Sequence, residues 1–69
     1  MRISARNQIA GTILEVRKGA TTSHVRIDVG GGTVITASIT NEAVDELRLA
    51  PGQKAYAVVK ASDVMVAVD

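Results

Sequence analysis

Cysteine, phenylalanine and tryptophan are absent from this chain, and proline occurs once. Without cysteine there is no disulfide to staple a small fold. His24, the one histidine, has no thiolate beside it, which excludes a zinc-finger-like site. Tyr56 is the only aromatic residue, so the base-stacking platforms of single-strand-binding proteins have almost nothing to be built from. Charge of one sign is lacking too. The formal net charge is +1, which gives no global field to steer nucleic acid or an anionic membrane. No apolar run approaches the ~20 residues that span a bilayer. The opening Met1-Arg2-Ile3-Ser4-Ala5-Arg6-Asn7 has no apolar core of a signal peptide. The expectation from these absences is a cytoplasmic protein with neither membrane nor nucleic acid as partner.

What is present is aliphatic. Hydrophobic residues make up 46% of the 69 positions, almost all Val, Ile, Ala and Leu. The length predicts one domain over residues 1–69. A domain of this size buries only about 60% of the surface its unfolded chain exposes. Its core rarely supplies more than about 3–5 kcal/mol. With disulfide and metal excluded, self-association is the expected source of further stability.

The pattern of apolar residues predicts mostly strands. Gln8 to Lys18 reads as a long first strand, with Gly11 marking a bulge or bend. Val25, Ile27 and Val29 alternate with His24, Arg26 and Asp28, the period of a half-buried strand. Gly30-Gly31-Gly32 then turns the chain into a third strand, Thr33 to Thr40, as a hairpin. It lacks the lysine and hydroxyl residue of a phosphate loop, and no helix opens after it. Thr40 and Asn41 are N-cap residues, and the acids of Glu42-Ala43-Val44-Asp45-Glu46-Leu47 suit the first turns of a short helix. Pro51-Gly52 fits the centre of a type II turn. Gln53 to Lys60 reads as a fourth strand and Val64 to Val68 as a fifth, both apolar on two faces. Strand, strand, strand, helix, strand, strand is the order of the OB-fold, a five-stranded, partly open barrel with its helix between strands three and four. The predicted class is all-β with one small helix. No repeat, linker or low-complexity segment interrupts it.

Two polar clusters stand out in this plain chain. Ser4-Ala5-Arg6-Asn7-Gln8 carries a hydroxyl, a guanidinium and two amides, and Lys60-Ala61-Ser62 carries an ammonium and a second hydroxyl. Both are rich in donors, as a fully deprotonated oxyanion requires. Arginine offers a planar fork and lysine a compact charge. Ala5 and Ala61 are small enough to let backbone N–H groups approach a ligand. The expectation is that the two clusters meet across a subunit boundary. The plain alternative is that Arg6 and Lys60 are solvated charges and the serines are turn residues.

The combination of Ser4-Ala5-Arg6-Asn7-Gln8 with Gly11, then Gly30 through Thr40, then Val59-Lys60-Ala61-Ser62-Asp63-Val64 resembles the molbindin (Mop) family over essentially the whole chain. That resemblance implies an OB-like subunit assembled as a hexamer, a trimer of dimers. It implies molybdate or tungstate held at subunit interfaces for intracellular storage or homeostasis, with no cofactor and no direct protein ligand to the metal. Carried onto matching positions, Ser4, Ala5, Arg6 and Asn7 belong to one half of the site and Lys60, Ala61 and Ser62 to the other. A second kind of interface site goes with the family and is not placed by these motifs. Asp63 is a carboxylate beside an anion site and is expected to point away.

No catalytic residues emerge. Asp28, Glu42, Asp45 and Glu46 form no evident acid–base pair, and no nucleophile has a base beside it. His24 lies on the polar face of its strand, near Thr21, Thr22 and Ser23. It reads as a surface or interface residue, with a second anion site as the sharper alternative. A nucleic-acid-binding OB domain and a purely structural interaction module are the competing classes.

Overall fold

The computed structural model describes residues 1–69. Strands β1 (Asn7–Lys18), β2 (Thr22–Gly30) and β3 (Thr33–Thr40) lead into helix α1 (Asn41–Leu47), followed by strand β4 (Lys54–Val59) and one 3-10 turn over Ala61–Asp63. The sheet is antiparallel in the order β3-β2-β1-β4. β1 is the spine, because both β2 and β4 pair with it.

β1 is bent by two devices. The pairing with β2 slips one residue between Ile13 and Glu15, which leaves Leu14 as the unpaired extra residue of a bulge. Ile13 is therefore buried, Val16 is half-buried, and Leu14 faces solvent. The expected bulge is present, but it lies at Leu14 and not at Gly11. Gly11 has another role. A Cβ there would stand 2.5 Å from the Asp28 carbonyl oxygen and 2.7 Å from Ile27 Cγ2, so β1 can approach β2 this closely only without a side chain.

The β2–β3 hairpin closes through Gly31 and Gly32, at φ 60° and 81°, with Gly30 opposite Thr33. Two consecutive positive φ values are what a two-residue hairpin turn of type I′ needs. Asp28 Oδ1 accepts from the Gly30 N–H at 2.8 Å and fixes the approach to the turn. At the other end of β3, Thr40 caps α1 by accepting from the Ala43 N–H at 3.0 Å. Asn41 is the first helical residue. Its side chain accepts from the buried Ser23 hydroxyl and donates to the Gly19 carbonyl, tying helix to hairpin. α1 ends on Arg48, in the left-handed region at φ 52°, whose N–H bonds to Asp45 O while Leu49 N–H bonds to Val44 O. Pro51-Gly52 turns the chain as expected, with Gly52 at φ 87° and the Gln53 N–H on Ala50 O.

The core consists of Ile13, Val25, Ile27, Val44 and Ala57, and with Ser23 these are the only buried residues out of 69. Two expectations change here. There are four strands and not five, because Val64–Val68 pair with nothing in the chain and are exposed. The last strand is also not buried on both faces. Ala55, Ala57 and Val59 point inward, while Tyr56 is 58% exposed and Val58 41%. A four-stranded, curled sheet with one helix across its end has no second layer to cover that outer face.

Candidate functional site

Antiparallel pairing of β1 with β4 places Asn7 opposite Val59. The residues just before β1 and just after β4 must then emerge side by side. They line one open concavity of about 520 Å³, formed by Ile3, Ser4, Ala5, Arg6, Lys60, Ala61 and Ser62. The two polar clusters thus meet within a single chain, through sheet register.

The local bonds leave the charges outward. Arg6 Nε donates to the Ser4 carbonyl at 3.0 Å, which folds the Ser4–Arg6 loop back on itself and leaves both terminal guanidinium nitrogens without a partner in the chain. Gln8 Nε2 holds the Ala5 carbonyl at 3.1 Å. Asn7 was expected in the anion site, but its amide is half-buried, donates to Val59 O at 3.2 Å and does not line the concavity. Asn7 therefore acts as a strut between the two walls. On the opposite wall, the 3-10 turn begins with Asp63 N–H on Lys60 O at 2.9 Å and Val64 N–H on Ala61 O at 3.3 Å. No carbonyl of the chain accepts from the Ala61 or Ser62 N–H, and both residues are exposed.

Ion pairing sharpens this picture. The chain has one salt bridge, Lys18 to Asp45 at 2.6 Å. Neither Arg6 nor Lys60 has a carboxylate partner, and Asp63 does not line the concavity. Residues carrying two cations, two hydroxyls and two free backbone N–H groups therefore line one depression. Such a set can neutralise and hydrogen-bond a small dianion. Ile3, which forms the apolar lip, was not singled out from the sequence. Nothing marks a lone isoleucine near the start of a chain, and only the β1–β4 register puts it there.

A second, smaller concavity of about 270 Å³ lies at the β1–β2 hairpin and is lined by Arg17, Lys18, Gly19, Thr22 and His24. His24 is opposite Arg17 in the β1–β2 register, so the one histidine joins two cations and a hydroxyl. Arg17 was not expected there. Its neighbour across the sheet is set by the slip at Leu14, which no local pattern in the sequence reveals.

Comparison with known proteins adds four findings. The TOBE domain family matches residues 3–66. A probable molybdenum-pterin-binding protein of Haemophilus influenzae is 45% identical over 69 residues, covering all of both chains. Among solved structures, a molybdate-binding protein from Sporomusa ovata superposes with a TM-score of 0.92 at 38% identity, covering 99% of this chain and all of that one. The cytoplasmic molybdate-binding protein ModG, solved with molybdate bound, superposes with a TM-score of 0.88 at 48% identity, covering 94% of this chain and 46% of that one.

Proposed function

This chain belongs to the TOBE domain family, and on that footing we infer that it binds molybdate, or its near-isostere tungstate, as a free oxyanion in the Ser4–Arg6/Lys60–Ser62 concavity. The observation that carries the reading is the presence of two cations without carboxylate partners beside two hydroxyls on adjoining walls. Arg6 contributes a planar fork. Lys60 contributes a point charge. Ser4, Ser62 and the Ala61 and Ser62 N–H groups supply neutral donors. Charge-assisted hydrogen bonds contribute about 1.5–3 kcal/mol each, so a few of them hold a dianion without any covalent step. The role is binding and not catalysis, in molybdenum storage or homeostasis in the cytoplasm; the relatives are named for molybdate or molybdenum-pterin binding, and one of them as cytoplasmic.

A molybdenum–pterin ligand is the competing reading among those names. A pterin is a planar heteroaromatic ring system and calls for a stacking partner. The single aromatic, Tyr56, lines a different groove, so the concavity favours the bare oxyanion. Its open side exposes part of the ligand to water. Closure by a second copy of the chain, within the hexamer that the family resemblance implies, removes that water and strengthens every charged contact. The basic concavity at Arg17, Lys18, Thr22 and His24 has the composition for the second kind of interface site.

Calorimetric titration with sodium molybdate tests the reading. Saturable binding that Lys60→Ala weakens by about tenfold or more is expected, from the loss of one charged contact. An absence of heat, together with no molybdenum retained through gel filtration, would overturn it.

A further inference from the structure

The concavity that carries Arg6 and Lys60 is not polar throughout. Three of its seven lining residues are apolar: Ile3, Ala5 and Ala61. Each alanine offers a single methyl group, so Ile3 supplies most of the apolar side-chain surface. Ile3 stands before β1 begins at Asn7 and is 42% exposed. It belongs neither to the buried core nor to the half-buried residues packed against that core. The fold therefore does not account for a large branched side chain at this position. The loop that follows it is held by Arg6 Nε on the Ser4 carbonyl and by Gln8 Nε2 on the Ala5 carbonyl.

An anion that enters the concavity exchanges water for protein on each side. Where the wall donates, a hydrogen bond replaces the lost water. Where the wall is Ile3, nothing replaces it, and that part of the hydration is lost outright. The cost rises as the ion becomes smaller, because the same charge on a smaller radius is hydrated more strongly. Sulfate is smaller than molybdate and tungstate, which are almost equal in size. All three are tetrahedral and doubly negative at neutral pH. Charged donors alone do not separate them by shape or charge, whereas an apolar wall separates them by hydration.

We propose that Ile3 is a specificity-determining residue of this concavity. Its side chain denies one face of the bound anion a hydrogen-bond partner, and so disfavours sulfate against molybdate and tungstate. The inference rests on the oxyanion reading above and adds the class of ligand selected, the large and weakly hydrated tetrahedral dianions. No carboxylate lines the concavity, so the selection works through lost hydration and not through repulsion.

The variants Ile3→Val and Ile3→Thr test this on the full chain. Valine and threonine have nearly the same shape, and threonine carries a hydroxyl where valine has a methyl, so the pair separates polarity from size. Neither substitution touches the core. Molybdate affinity is read by calorimetric titration, and sulfate and tungstate affinities by displacement of bound molybdate. Ile3→Val is expected to keep the parent's preference for molybdate over sulfate. Ile3→Thr is expected to narrow that preference by roughly two- to fivefold, the upper figure being the full worth of one neutral hydrogen bond. The ratio of molybdate to tungstate affinity is expected to stay the same in both. A merely structural role would weaken all three anions in parallel. Equal molybdate-to-sulfate ratios in the two variants, with molybdate still bound by the parent, would overturn the role of Ile3 and leave the oxyanion reading standing. A parent chain that binds sulfate as tightly as molybdate would do the same. A parent chain that binds no molybdate would overturn the oxyanion reading and this inference together.

Discussion

Single residues do different work here from what their chemistry alone suggests. Asn7 carries an amide in a donor-rich stretch, yet it braces β4 through Val59 O, while Arg6 beside it keeps its terminal nitrogens free. Arg6→Lys is therefore expected to keep part of the molybdate affinity, and Arg6→Ala to lose about tenfold or more; titration of the two variants side by side would show the order. Asn7→Ala is expected to weaken binding less than either loss of charge, since it moves a wall and removes no ligand. Gly11 gives the sharpest prediction about stability. Its absent Cβ would sit 2.5 Å from a backbone oxygen, which cannot swing aside as a side chain can. Gly11→Ala should cost about 1–3 kcal/mol, read as a lower midpoint in urea denaturation.

Elements owe their limits to a few local contacts. α1 has only seven residues and one buried side chain, Val44, so its cap carries a large share of its stability. Thr40→Ala is expected to lower stability by about 1 kcal/mol. That shifts the melting temperature by roughly 4–8 °C in a domain this small. The helix start was legible in the sequence, because Thr40-Asn41 ahead of an acidic run has a direct physical meaning. The strand pattern of β2 was equally legible, since Val25 and Ile27 are buried while His24 and Arg26 are exposed. The bulge in β1 was only half legible. Alternation shows that parity changes, but the slip itself is a relation between Ile13, Glu15 and their partners on β2, and a partner strand is not visible in a local pattern. Val64–Val68 show the same limit from the other side. Their alternation reads as a strand, yet the segment pairs with nothing in its own chain.

At the scale of the whole molecule, six buried residues are a thin core, and twelve large hydrophobic side chains lie exposed. A melting temperature that rises with protein concentration is the expected consequence of stability drawn from association. Molybdate at about a hundred times its dissociation constant should add about 2.7 kcal/mol, seen as a further rise in melting temperature that sodium chloride at matched ionic strength does not reproduce. If a second copy closes the open side of the Lys60–Ser62 wall, ligand and assembly should stabilise one another.

The sequence by itself determined which donors and charges are available to the candidate site and the type of β1 to β4 and of α1. Donors, charges, caps and turn glycines act through the residues that carry them and their near neighbours. The tertiary structure decided which pieces meet. The Asn7–Val59 register set Ser4 and Arg6 beside Lys60 and Ser62 in one chain, the slip at Leu14 set Arg17 beside His24, and the open edges of β3 and β4 left the last apolar segment without a place in its own sheet. Each of these depends on pairing between strands far apart in the chain. Donor chemistry and apolar alternation are the same in every register, so only the assembled sheet selects one.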